Sequence, residues 1–317
     1  MTAGDPARRT GGNLYNRHML SALRREGIRV RTFVLGDRRD AARLHELRAS
    51  LVLVDTIAAS LAAPYLARLR ARGSEVVTLA LMWQGAFALA RRSDRVIACG
   101  RALADELVAR GIDRRRIAVV TPGRDRIAAG STARRAGSVL CVANWTPAKG
   151  IHTLVAAAAR IPEISLDLVG DAPDPAYAAR VRRAIRGLGS RVHAYGSLGR
   201  AALERRYAAA SVFALPTIRE GYPIAFVEAL AHGLPIVGCD IPAVREVTGG
   251  AAILVAPRRV VPLAAALRRV VADEPSRRAL ERKALIRARQ LPMWAESEER
   301  FVGVVRSGLG RRPLERG

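Results

Sequence analysis

From Ser138 onward the chain repeats one pattern six times. SVLCVAN, ISLDLVG, RVHAY, SVFALP, LPIVGC and AAILVAP are short apolar runs, each followed by a stretch of helical character. Such runs suit strands buried on both faces, and strands alternating with helices predict a parallel sheet covered by helices. The first part of the chain repeats the pattern with RVRTFVLG, SLVLVDT, EVVTLAL, RVIACG and IAVVTPG. The expected fold class is therefore α/β, with two Rossmann-like domains, and 317 residues suffice for a core in each. The expected boundaries are residues 1–127 for the first domain, 128–137 for a linker of composition AAGSTARRAG, and 138–291 for the second domain. Residues 292–308 read as a terminal helix and 309–317 as a loose tail. Ligands of such sheets bind beyond the carboxyl ends of the strands, so the loops after the apolar runs are where function is sought.

One of those loops opens the most informative stretch, REGYPIAFVEALAHGLPIVGC, residues 219–239. Glu220 and Gly221 fall in the turn after SVFALPT, and Pro223 is expected in the first turn of a helix, where proline is tolerated. From Tyr222 the pattern supplies about two helical turns before His232 and Gly233 stop it, which puts Glu228 roughly 8 to 9 Å further along the axis. A helix N-terminus attracts anions through its free N–H groups and dipole, so a diphosphate fits there. Carboxylates on either side are good acceptors for the paired hydroxyls of sugars. A second loop, in SVLCVANWTPAKGIHTLVAAAA, ends at Lys149 and Gly150 before another helix. The chain has only two lysines, Lys149 and Lys283, among 53 basic residues, so an ammonium in this loop stands out. A compact ammonium suits a diphosphate oxygen, although a solvated loop lysine has the same sequence. Near the beginning, Thr10, Gly11 and Gly12 are expected to precede a helix whose apolar positions Leu14, Met19, Leu20 and Leu23 share one face and which Gly27 ends.

The string EGYPIAFVEALAHGLPIV resembles the donor-site signature of glycosyltransferase family 4, retaining enzymes of the GT-B fold whose two glutamates are separated by seven residues. Gly221, Pro223, Ala229, Leu230, Gly233 and Pro235 match as well as Glu220 and Glu228. The resemblance covers nearly the whole chain, most closely residues 138–257. It implies two domains with parallel sheets facing across a cleft, the first on the acceptor side and the second binding the donor, with the terminal helix crossing back to the first. It implies that Glu220 contacts the transferred sugar and that Glu228 binds the ribose hydroxyls. Lys149 is implied to bind the leaving diphosphate, with Glu220 and Lys149 as the catalytic pair. Gly11 and Gly12 are implied to let the backbone approach that diphosphate. Gly221, Tyr222 and Pro223 complete the donor-binding set with Asn144, which stands where many members carry an arginine. Losing one charge-assisted hydrogen bond there costs about 1.5 to 3 kcal/mol, enough to slow turnover without abolishing it. On the acceptor side LALMWQGAF is short and lacks the histidine often found there. Trp83 and Gln84 are the candidates for lining an acceptor, against a plain buried aromatic beside a loop.

The resemblance implies a substrate, a nucleotide-diphosphate sugar, rather than a cofactor, and no metal is expected, since no DxD sequence occurs. Lys149 and the helix N-terminus would stabilise the leaving diphosphate instead. The partner set expected is a nucleotide sugar donor and an acceptor, with a lipid or a glycan left open. The net charge of +25 is spread along helices with few aromatics for base stacking, so nucleic acid is not expected. A basic face is compatible with peripheral contact with an anionic membrane at the inner face. No apolar run reaches membrane-spanning length, and Cys99, Cys141 and Cys239 sit in strand-like runs as reduced core thiols, which together predict the cytoplasm. Only nine residues precede Thr10, whereas family members begin with an apolar strand central to the first sheet. The expectation is that this strand is missing and that the true start lies upstream of Met1. The main reading is a retaining glycosyltransferase. The alternatives are a catalytically weakened relative acting as a binding or partner subunit, and a nucleotide-sugar epimerase of similar fold.

Overall fold

The structure is a computed structural model and describes residues 1–8, 10–126 and 134–309. The chain divides into two compact units, residues 1–123 with 292–317, and residues 124–291. Of the expected linker, residues 128–133 lie outside the described residues, as do 310–317 of the expected tail.

In the first unit the strands are β1 (Thr2–Ala3), β2 (Val34–Leu35), β3 (Leu51–Asp55), β4 (Glu75–Ala80), β5 (Arg95–Ala98) and β6 (Ile117–Val119). β3-β4-β5-β6 form a parallel sheet in that order, and β1 pairs in parallel with β2. The expectation that the first strand is missing needs correction, because a two-residue stub holds its place. Thr2 faces Val34 across one edge, and the Met1 carbonyl accepts from the Asp55 N–H at 2.9 Å across the other. The Met1 ammonium donates to the Leu53 carbonyl at 2.6 Å, and burial pushes it down to about 6. β2 is also shorter than RVRTFVLG predicts. A strand persists only where a neighbour supplies ladder bonds, and residues 29–33 instead border a groove of about 720 Å³ that Asn16, Leu20, Leu51 and Leu53 also line. The core of this unit gathers Leu35, Leu44, Val52, Val54, Leu66, Leu69 and Val76. Helix Trp294–Leu309 packs on helix Gly11–Arg25 through the edge-to-face pair Tyr15 and Phe301, with the His18 and Trp294 rings stacked at 3.9 Å.

The second unit holds β7 (Ser138–Val142), β8 (Ser165–Val169), β9 (Val192–Ala194), β10 (Val212–Leu215), β11 (Ile236–Cys239) and β12 (Ile253–Val255). Among the described residues these make one parallel sheet in the order β12-β11-β10-β7-β8-β9. Its central strands carry Val139, Leu140, Cys141, Phe213, Ala214, Ile236 and Val237, all at most 1 % exposed, as expected for strands covered on both faces. Asp167 on β8 is a buried exception, and its carboxylate is paired with Arg135 at 2.5 Å and Arg206 at 3.6 Å. The three cysteines are buried thiols; desolvation raises the Cys141 thiol to about 12 and the Cys239 thiol to about 11, which keeps both protonated. No helix among the described residues is long and apolar enough to cross a membrane.

Candidate active site

In the second sheet the chain winds outward from β7 through β8 and β9 on one side, then returns to β10 and winds outward through β11 and β12 on the other. The reversal lies between β7 and β10. Loops leaving two such neighbouring strands part in opposite directions and open a crevice beyond their carboxyl ends. Lys149 ends the loop after β7 and Glu220 lies in the loop after β10. Their side chains meet, Lys149 Nζ donating to Glu220 Oε1 at 2.6 Å. The Glu220 side chain is 9 % exposed and that of Lys149 27 %, so water screens this pair far less than it would a surface pair.

The two loops are tied through one carbonyl. Ala148 O accepts from the Ile218 N–H at 2.8 Å and from the Thr217 hydroxyl at 3.1 Å. Gly150, with φ of +66°, turns the chain into helix Ile151–Ala158, and a Cβ there would stand 2.3 Å from the Pro216 carbonyl oxygen. Only glycine lets the loop after β7 lie this close to the end of β10.

Helix Ile224–Ala231 begins two residues after Tyr222, where the sequence pattern starts it. Pro223 is its N-cap rather than a first-turn residue, because its ψ of 87° is not helical. No side chain caps this end. His232 closes the helix and Gly233 follows in the left-handed region. The buried face is Phe226, Val227, Ala229, Leu230 and Ala231, with Phe226 edge-on to Phe213 of β10. Glu220, Gly221, Tyr222 and Pro223 thus form the approach to the helix, with Glu220 beside Lys149, while Glu228 lies on the helix itself.

Glu228 Oε2 accepts from the Tyr207 hydroxyl at 2.8 Å. Burial raises its carboxyl to about 7; the Tyr207 hydrogen bond opposes the rise, Asp125 and Glu204 add to it, and Arg200 opposes it. The folded protein therefore holds this proton more tightly than the unfolded chain, whose value is near 4.5. Stability from this proton is fully present below pH 4.5 and is lost as pH rises through about 7. Glu228→Gln is expected to come close to the ligand-free wild type at pH 4.5 and to exceed it by on the order of 3 kcal/mol at pH 8. Chemical denaturation at the two pH values reads the difference; an equal margin at both would refute it.

The other predicted residues are placed less simply. Asn144 was expected to stand in for an arginine, but its Oδ1 accepts from the Asp171 N–H at 3.1 Å and ties the loop after β7 to the loop after β8. Gly11 and Gly12 were expected ahead of a helix; they lie inside its first turn, and the Thr10 hydroxyl caps it by accepting from the Asn13 N–H. A Cβ on Gly12 would make only ordinary contacts, 3.8 Å to Leu81 and 3.9 Å to Ile57, so the protein's own packing does not require glycine there. Trp83 is half-buried rather than buried, with the Arg110 guanidinium over its ring at 5.7 Å, and Gln84 is exposed. Both belong to the first unit, as do Gly11 and Gly12. The residues that sequence reading missed are Tyr207, His232 and Glu204 around Glu228, together with Thr217. Their only sequence signal is position, since no local motif links a tyrosine 21 residues upstream to a helix glutamate.

Comparison with known proteins gives this geometry a context. Residues 136–273 match the family model described as Glycosyl transferases group 1. Two curated glycogen synthases of Mycobacterium tuberculosis are 32% identical over 205 residues, 59% of this chain and 48% of theirs. The chain spans about half the length of these curated relatives. Among solved structures, sucrose-phosphate synthase of Thermosynechococcus elongatus matches with a TM-score of 0.83 at 20% identity, covering 98% of this chain and 100% of that one. Anabaena HepE in complex with UDP-glucose matches with a TM-score of 0.77 at 18% identity, covering 96% and 98%. At these identities the likeness is one of fold, and the fold is GT-B.

Proposed function

Since residues 136–273 match the family model of the group 1 glycosyl transferases, we propose that this chain is a retaining glycosyltransferase of family 4 that moves a sugar from a nucleotide diphosphate to an acceptor hydroxyl. The observation that carries the reading is the Lys149–Glu220 pair, 2.6 Å apart at the point where strand order reverses. The diphosphate lies at the uncapped start of helix Ile224–Ala231, where N–H groups and the helix dipole favour an anion. Lys149 turns its ammonium to the diphosphate as charge grows on the leaving oxygen. Glu220 then accepts hydrogen bonds from the transferred sugar, and Glu228 accepts them from the ribose. The leaving phosphate takes the proton of the incoming hydroxyl on the same face, so the anomeric configuration is retained without a protein base. No metal is needed in this scheme, because Lys149 and the helix N-terminus supply the positive charge.

UDP-sugars are the donors to test first, since the HepE structure of the same fold is in complex with UDP-glucose. UDP is expected to raise the melting temperature of the wild type, and Glu228→Ala to shrink the rise at the same UDP concentration. An undiminished rise after the substitution would remove Glu228 from the donor site. A second reading, a weakened relative serving as a binding or partner subunit, draws on Asn144, whose side-chain oxygen is committed to Asp171. It predicts nucleotide binding without transfer. The acceptor, a lipid or a glycan, and peripheral contact with an anionic membrane remain part of the proposal at the level of class.

A further inference from the structure

Glu228 of the donor-site set is held by an aromatic hydroxyl. Tyr207 lies in the last turn of helix Arg200–Ala209 and is 1 % exposed, so its hydroxyl is confined to protein partners. Those partners are Glu228 Oε2 at 2.8 Å and the Ala225 carbonyl at 3.3 Å, both on helix Ile224–Ala231. The ring beneath that hydroxyl is fixed on two sides. It stacks on Phe213 of β10 at 6.1 Å and on His232 at 4.9 Å, with 17° between the planes of Tyr207 and His232.

His232 is itself fixed at both ring nitrogens. Nδ1 lies 2.8 Å from the Glu228 backbone carbonyl, and Nε2 lies 2.8 Å from Glu204 Oε2. Arg134 donates to the His232 carbonyl at 2.9 Å. The imidazole therefore cannot rotate without breaking two hydrogen bonds, and it keeps the tyrosine ring in place. The chain of contacts runs from Glu204 through His232 to Tyr207 and ends on one oxygen of Glu228. The other oxygen, Oε1, has no hydrogen-bond partner among the described residues.

We propose that Tyr207 is a positioning residue for the nucleotide ribose: by occupying Oε2 it fixes the carboxylate plane of Glu228 and turns Oε1 to accept from the ribose hydroxyls. The inference rests on the donor reading above and adds to it the residue that orients the carboxylate. A carboxylate free to rotate about its last bond presents its oxygens over a broad range of angles. One pinned by a buried phenol presents a single direction, and the ordering cost is met in folding rather than in binding. Tyr207 touches no ligand in this arrangement. Its effect reaches the nucleotide only through Glu228.

The experiment measures dissociation constants for UDP and 2′,3′-dideoxy-UDP by calorimetry with the full chain, in the wild type, Tyr207→Phe, Glu228→Ala and the double variant. Tyr207→Phe keeps the ring and its stacking and removes only the hydroxyl. At pH 8, where burial no longer keeps most of the Glu228 carboxyl protonated, the wild type is expected to prefer UDP by about 10-fold or more, the worth of a charged hydrogen bond to a hydroxyl. Tyr207→Phe should shrink that preference several-fold with dideoxy-UDP affinity unchanged, and should change nothing further once Glu228 is alanine. A purely structural role would weaken both nucleotides alike and would overturn the inference. So would an unchanged preference in Tyr207→Phe, or failure of that variant to fold as judged by its melting curve. Should the wild type show no preference, or Glu228→Ala keep it, the donor reading itself fails. The Glu228→Ala arm separates that outcome from a failure confined to Tyr207.

Discussion

Lys149→Met is expected to lower the turnover of sugar transfer about 100- to 1,000-fold, the usual cost of removing one preorganised group that stabilises charge in a transition state. The ammonium stands where positive charge is scarce in kind, because the chain's other lysine, Lys283, is far along the sequence in a different helix. Arginine is abundant, but the broad guanidinium fork cannot replace a compact ammonium 2.6 Å from a carboxylate within the same space. The substitution also leaves Glu220 largely withdrawn from water with no cation beside it. Breaking a fully buried pair costs about 3 to 5 kcal/mol; here Lys149 is partly exposed, so about 1 to 3 kcal/mol is expected. Adding Glu220→Gln removes the stranded charge. The double variant should therefore recover most of the lost stability and none of the lost turnover. Initial rates with a UDP-sugar and the urea midpoint of the four proteins measure both arms. Recovery of turnover in the double variant would show that Lys149 serves the fold alone.

Gly150→Ala is expected to destabilise the second unit by about 3 to 5 kcal/mol, at the severe end of single substitutions. Two costs add. A left-handed backbone costs a non-glycine residue about 1 to 2 kcal/mol. The new Cβ would also stand 2.3 Å from the Pro216 carbonyl oxygen, and backbone at the end of β10 cannot turn aside as a flexible side chain could. Relief requires the Lys149 loop to retreat from the Glu220 loop, which strains the hydrogen bonds that Ala148 O accepts from Ile218 and Thr217. Calorimetry should show the melting temperature falling by on the order of 10 °C, and UDP affinity should fall with it. A variant that melts within a degree or two of the wild type would mean that the loop has another position open to it.

Much of this molecule is legible in the chain, for identifiable reasons. Each apolar run from SVLCVAN to AAILVAP forms a strand of the second sheet, trimmed at its ends. Burial on both faces leaves little freedom to a run of Val, Ile and Leu. Gly233 stops helix Ile224–Ala231 where it was expected to, because a left-handed residue after His232 ends the ladder. RVRTFVLG misled for the opposite reason. Its residues favour a strand, but a strand needs a neighbour, and β1 offers only Thr2 and Ala3. Pro223 misled because proline suits both the first turn and the cap. Asn144 was read by its chemistry alone, and the sequence held no sign that its Oδ1 would accept from the Asp171 N–H.

By itself the sequence determined the layer architecture, the loops that carry polar residues, and the chemistry available there: one ammonium, two carboxylates and a helix start. These follow from local rules, since periodicity, turn residues and side-chain type act over a few neighbours. Tertiary structure alone decided that β10 returns to lie beside β7, which brings Lys149 within 2.6 Å of a carboxylate 71 residues away. It alone decided that the Tyr207 hydroxyl would reach Glu228. Strand order and side-chain convergence depend on long-range pairing and packing, and no short window of sequence contains both partners of such a contact.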